Sequence, residues 1–87
     1  MYNHEHYWDV PEGTLNTLDG WAKEGWDGGS FVMACLENDL TRAVGCADKE
    51  NSEALPGIVK YMYNELPLRC WGSPKITSQW ACKMKEE

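Results

Sequence analysis

Arg69, Cys70, Trp71, Gly72, Ser73, Pro74 and Lys75 bring together the residue types of a small anion or nucleotide site. Serine is a preferred helix N-cap and proline suits the first helical position, so Ser73 and Pro74 mark the start of a helix. The opening N–H groups of a helix have no intrahelical partner and favour anions. Beside them, Gly72 permits close approach, Trp71 offers a stacking face, and Arg69 and Lys75 supply cations for phosphate. Tyr63 is a second stacking surface, and stacking is worth about 1–3 kcal/mol per base in single-strand binders. Asn38, Asn64 and Asp39 can read base edges. Asp39 can also accept from a ribose hydroxyl, although it repels phosphate.

Each of these residues also has a plainer role. Ser73 and Pro74 serve equally as an ordinary helix cap. Trp71 suits a core or interface anchor, Arg69 a pair with an acid of the second helix, and Asn64 the end of the third. Asn38 follows Cys35 by three and Phe31 by seven, which puts it at the edge of an apolar stripe. An amide there needs a partner across an interface or in a ligand.

Catalysis has weaker support. A nucleophile needs a base within hydrogen-bond reach and a group to orient that base. The histidines, His4 and His6, sit in an N-terminal stretch expected to be mobile, and Cys35, Cys46, Cys70 and Cys82 have no evident imidazole partner. Glu37, Asp39 and Glu65 show no paired-carboxylate spacing. Gly25 to Gly29 lacks the preceding strand and following lysine of a phosphate loop. The chain reads as a non-enzyme with no cofactor and no metal.

A chain of 87 residues is one domain with a marginal core. Five Trp, four Tyr and one Phe are a heavy aromatic load for it, so some should lie at the surface, in an oligomer interface or a ligand site. A homo-oligomer is expected. Residues 1–55 carry eleven acids and three bases, a net of −8, and residues 56–87 a net of +2. That balance argues against general nucleic-acid binding, which needs Lys and Arg to neutralise phosphates. Met1 to Val10 does not resemble a secretory signal, and no apolar run approaches the roughly 20 residues of a membrane span. A soluble, cytoplasmic protein with no membrane partner is expected, its four thiols reduced.

Periodicity predicts an all-α fold, a small bundle of about four helices with short connections. Residues 1–12 form an irregular arm, in which the first ten residues are the one possible strand, and residues 14–87 form the helical core. Thr14 caps a helix from Leu15 to Glu24, with Leu15, Leu18 and Ala22 on one face, and Gly25 ends it. Ser30 opens a second helix whose stripe runs Val32, Leu36, Leu40, Ala43, Val44 and Ala47. Cys35 and Cys46 then stand about 16 Å apart on it, too far for a disulfide. Asp39 and Arg42 form an i,i+3 pair. Asp48 caps a third helix to about Glu65, which either starts late, near Glu53, or kinks at Pro56. Pro67 stops it. The last helix runs from Pro74 to about Met84, with Ile76, Trp80 and Lys83 or Met84 on its inner face and a fraying tail at Lys85, Glu86 and Glu87.

The pattern Gly29-Ser30-Phe31, Ala34-Cys35-Leu36 and Asn38-Asp39-Leu40, then Ala47-Asp48, Asn51, Ala54-Leu55-Pro56 and Ile58-Val59, resembles a family of small phage and prophage proteins. Tyr63-Asn64-Glu65-Leu66-Pro67, Cys70-Trp71-Gly72-Ser73 and Trp80 match it best, and the resemblance spans roughly residues 26–82. Small helical phage proteins include oligomeric sponges that bind cyclic-nucleotide immune signals of the host without cleaving them. The resemblance implies such a role here, with a cyclic dinucleotide or cyclic ADP-ribose as ligand and inhibition of antiphage defence as the outcome. The alternative is an acidic protein-interaction module that inhibits or adapts a host protein.

Overall fold

The computed structural model describes residues 3–85. Among them the chain is all-helical, with no strand and with six α-helices instead of about four: α1 Glu12–Glu24, α2 Gly29–Leu36, α3 Leu40–Cys46, α4 Lys49–Glu53, α5 Leu55–Glu65 and α6 Pro74–Lys85. A single 3-10 turn, Leu68–Cys70, precedes α6. The fraying expected at Glu86 and Glu87 lies outside the described residues.

The first helix begins earlier than the cap at Thr14 implied. Pro11 precedes it, and Thr14 is buried inside α1, its hydroxyl donating to Asn51 Oδ1 at 2.6 Å. That bond ties α1 to α4. Gly25 ends α1 in the left-handed region, φ 73°. A Cβ there would stand 2.5 Å from Met84 Cβ, so this glycine also lets α6 lie against the end of α1. Ser30 is not the cap of α2. The helix starts at Gly29, whose N–H donates to Asp27 Oδ1 at 2.7 Å.

The expected second helix is two helices. Asn38 takes φ 61°, a left-handed conformation that asparagine tolerates better than most residues. The Asn38 and Asp39 N–H groups close back on the Cys35 and Ala34 carbonyls, and the Gly72 N–H donates to the Leu36 carbonyl at 2.7 Å. Asp39 then caps α3 by accepting from the Arg42 N–H. The orphan carbonyls of α2 are thus satisfied from outside the helix, which lets it stop. Past the break the apolar stripe no longer faces inward: Ala43 is buried, but Leu40 and Val44 are exposed.

Asp48 caps a helix as expected, but α4 is only five residues long. Pro56 sits in the first turn of a separate helix, α5, where its missing N–H costs nothing. The expected third helix is thus two helices broken at Ala54, neither one helix starting near Glu53 nor one kinked at Pro56. Leu66 is extended before Pro67, and α5 ends there.

The core is built from Leu15, Leu18 and Trp21 of α1, Ala34 and Leu36 of α2, Ile58, Tyr61 and Met62 of α5, and Cys70 and Trp80. Two indoles staple its C-terminal side. Trp21 Nε1 donates to the Cys70 carbonyl at 2.7 Å, and Trp80 Nε1 donates to the Trp21 carbonyl at 3.0 Å. Both bonds are buried, where a lost partner costs about 1–3 kcal/mol. They fix the 3-10 turn and α6 relative to α1, and with them the surface between that turn and α6. No helix among the described residues is long and apolar enough to cross a membrane.

Candidate functional site

The residues singled out in the sequence fall in separate places. Ser73 is a cap: its Oγ accepts from the Ile76 N–H at 3.2 Å. Gly72 takes φ 131°, open to glycine but not to other residues without strain. Trp71 is half-buried against the core and lines a cleft with Asn38, Asp39, Leu40, Val59 and Met62. Its indole Nε1 is buried and has no hydrogen-bond partner among the described residues. The cleft is only about 40 Å³, far below the roughly 300 Å³ at which small-molecule sites begin. Asn38 is not on a helix edge but at the break between α2 and α3. Asp39 spends one oxygen on its cap and stands 3.6 Å from Arg42 Nη1, the pair its spacing implied.

Tyr63 is exposed on α5. Asn64 does not cap α5: its Nδ2 donates to the Tyr7 hydroxyl at 3.2 Å and holds the N-terminal arm. Glu37 accepts from Arg42 Nη2 at 3.0 Å, so the acid of the second helix pairs with Arg42. Arg69 has no ion pair or hydrogen bond among the described residues. Lys75 is exposed on the first turn of α6.

Arg69 lines a groove of about 380 Å³ with Leu68, Ile76, Gln79, Trp80 and Lys83. The 3-10 turn supplies one wall and α6 the other. Ile76, Gln79, Trp80 and Lys83 share a helix face because they follow three- and four-residue steps. Leu68, Ile76 and Trp80 make the surface apolar. Among the described residues its lining has two cations, Arg69 and Lys83, and no acid, and Lys83 Nζ lies 5.5 Å from the Trp80 ring centroid. Lysine at the end of α6 also complements that helix dipole. Lys75 and Trp71 do not line this groove.

A second polar cluster joins the arm to the core. His4 Nδ1 lies 2.8 Å from Glu12 Oε1, and Nε2 lies 2.8 Å from Asp19 Oδ2. Tyr61, fully buried, donates its hydroxyl to Asp19 Oδ1. Tyr61 also meets His4 and Tyr7 edge to face, with centroids 5.5 and 4.9 Å away. Burial works to lower the His4 pKa. The hydrogen bonds to Asp19 and Glu12 and their charges outweigh it and raise the pKa above 6.5. With a carboxylate on each nitrogen, the ring has no free lone pair to act as a base. The geometry is that of a latch. It replaces the mobile N-terminus expected from the sequence. Among the described residues, no group of three His, Cys, Asp or Glu side chains is arranged to hold a metal ion.

Cys35 and Cys70 are buried, and burial pushes their thiols up to about 11 and about 12. Cys46 and Cys82 are exposed, and all four are free.

The sequence carried a signal for each missed feature. Asp19 stands four residues after Leu15 and three before Ala22, on the apolar stripe of α1, where an acid requires a buried partner. Lys83 lies on the face of Ile76 and Trp80, one of the two places their spacing offered, and what went unread is its meeting there with Arg69. No family model, curated protein or solved structure matches the chain.

Proposed function

We propose that this chain is a non-catalytic binding protein that holds a small anionic ligand with a planar or apolar body, of the nucleotide type, in the groove between the 3-10 turn and α6. The observation that carries the reading is Arg69, a guanidinium without an acidic partner among the described residues, standing beside Trp80, Ile76 and Leu68. A guanidinium fork suits phosphate or carboxylate, with Lys83 as a second point charge. The apolar wall suits the ligand's flat body. At about 380 Å³ the groove is near the lower end of small-molecule sites, which favours one nucleotide unit over two. The phage-type resemblance supplies the setting, sequestration of a nucleotide immune signal in the host cytoplasm, and of the two ligands it implies the groove's size favours cyclic ADP-ribose over a cyclic dinucleotide. In this reading the site moves from Trp71 and Ser73 to Arg69, Trp80 and Lys83.

A second reading, an interaction module or homo-oligomer, is favoured by the exposed Leu40 and Val44 of α3 and Val59 of α5. Asn38 and Trp71 lie beside them.

Thermal shift across a nucleotide panel, with mass spectrometry of molecules released on heat denaturation, tests the first reading. Binding of intact nucleotide, lost in Arg69→Ala with the melting temperature of the free protein unchanged, supports it. No shift with any nucleotide removes it, and recovery of cleaved ligand makes the protein an enzyme.

A further inference from the structure

The acidic end of the molecule carries an aromatic that the groove of a second copy fits. Trp8 is 87% exposed, while its neighbours Tyr7 and Val10 are buried. The arm is fastened on both sides of Trp8: by the His4 contacts and the Tyr7–Tyr61 ring pair before it, and by Val10 after it. Gly57 of α5 makes the last contact possible, since a Cβ there would stand 2.9 Å from Val10 Cγ2 and 3.2 Å from Asp9 Oδ2. Trp8 is therefore presented by an ordered segment. A side chain held in place before contact loses less freedom on binding, and exposed tryptophan is the residue type most enriched at interface hot spots.

The surroundings of Trp8 are acidic. Asp9, Glu12, Glu50 and Glu53 line the surface with it, and among the described residues no base does. The groove of Leu68, Arg69, Ile76, Trp80 and Lys83 has the opposite character: among the described residues, two cations on an apolar wall with no acid. The two surfaces lie at opposite ends of α5. Ala54, just before α5, borders the acidic surface, and Leu68, just after it, borders the groove. Eleven helical residues separate them by about 16 Å. With its arm fastened, a copy cannot place Trp8 in its own groove.

We infer that Trp8 of one copy docks in the Arg69–Lys83 groove of the next, with Asp9 and Glu12 of the first facing the two cations of the second. The contact joins two different patches, so it is heterologous and repeats head to tail. It rests on the reading of the groove as a site for anionic, flat groups, and it names a protein group of that chemistry. It also makes self-association and nucleotide binding mutually exclusive at one groove.

The test is sedimentation velocity on the full chain over a wide concentration range, with variants checked for unchanged far-UV circular dichroism. Wild type grows beyond a dimer as concentration rises. Trp8→Ala and Arg69→Glu each remove one of the two patches, and each alone associates about thirtyfold more weakly or worse, the loss expected for a hot-spot tryptophan. Trp8→Ala keeps its groove and Arg69→Glu keeps its Trp8, so an equimolar mixture forms a one-to-one pair that stops at two. A monomeric wild type, variants that associate like wild type, or a mixture that forms no pair each overturns the inference. AMP titrated into Trp8→Ala separates the two proposals. Binding of AMP without wild-type self-association sinks the head-to-tail contact alone, and the expected assembly with no binding of AMP or of any other nucleotide in the panel sinks the nucleotide reading alone.

Discussion

Replacing His4 by glutamine tests whether the arm is latched by an imidazolium. Asp19 has a side chain only 13% exposed, so its bond to His4 Nε2 belongs with hydrogen bonds to charged groups, about 1.5–3 kcal/mol. Glu12 is 68% exposed, and its share is about 0–1 kcal/mol after solvent screening. Glutamine reaches at most one of the two carboxylates and gives up the edge contact with Tyr61. A loss of about 2–3 kcal/mol follows at pH 5.5, where the imidazolium donates to both acids. The His4 pKa is raised in the folded state above 6.5. Its charge-dependent stabilisation is therefore complete below the unfolded value and fades as pH climbs through the folded value. At pH 9 the neutral ring keeps one donated bond and its packing, and the penalty falls to about 1 kcal/mol. In a domain of this size 1 kcal/mol moves the melting temperature by about 4–8 °C, so the variant should melt about 8–24 °C below wild type at pH 5.5 and about 4–8 °C below at pH 9. Thermal unfolding followed by circular dichroism at both pH values measures this, and groups common to both proteins cancel in the difference. A gap that stays constant, or widens toward pH 9, would refute the imidazolium latch.

Three further outcomes follow from particular contacts. Gly25→Ala places a side chain in the left-handed region and 2.5 Å from Met84 Cβ. It should cost about 1–2 kcal/mol for conformation and a further 1–3 kcal/mol for overpacking, read by urea unfolding. Gly57→Ala gains about 1 kcal/mol of helix propensity but drives Val10 off α5, since β-branched Val10 has little freedom to move. A net destabilisation is expected, with faster proteolysis of the arm, and a stabilised variant would show that the arm does not rest on α5. Native protein at pH 8 should show two thiols reactive with a disulfide reagent, Cys46 and Cys82, and four in denaturant. Reaction of Cys35 or Cys70 in the native protein would contradict their burial.

Helical class, the αL end at Gly25, the Asp48 and Ser73 caps and the stop before Pro67 were legible because each rests on local chemistry. The break at Asn38 was not, because Val32, Leu36, Leu40, Ala43 and Val44 keep a helical period straight across it. What ends α2 is non-local: the Gly72 N–H arrives from thirty-odd residues away to take the Leu36 carbonyl. The site was partly legible for the same reason. Arg69 and the apolar residues Ile76 and Trp80 were visible as types. Their meeting with Lys83 in one groove depends on the Trp21 and Trp80 indole bonds, which bridge 49 and 59 residues. Trp71 lies only two residues from Arg69 yet lines the other cleft: Arg69 sits in the 3-10 turn and the backbone becomes extended at Trp71, so no single periodicity relates the two side chains. The latch was hidden by the expectation that an N-terminal arm is loose, although Asp19 on an apolar stripe called for a partner.

The most direct measurement of the groove's role is a two-dimensional amide and side-chain NMR titration with AMP on isotope-labelled protein. Saturable shifts confined to Leu68, Arg69, Ile76, Gln79, Lys83 and the Trp80 indole N–H, absent in Arg69→Ala, are the predicted result. Shifts centred on Trp71 and Asn38, or no shift with AMP or any other anionic nucleotide, would contradict it.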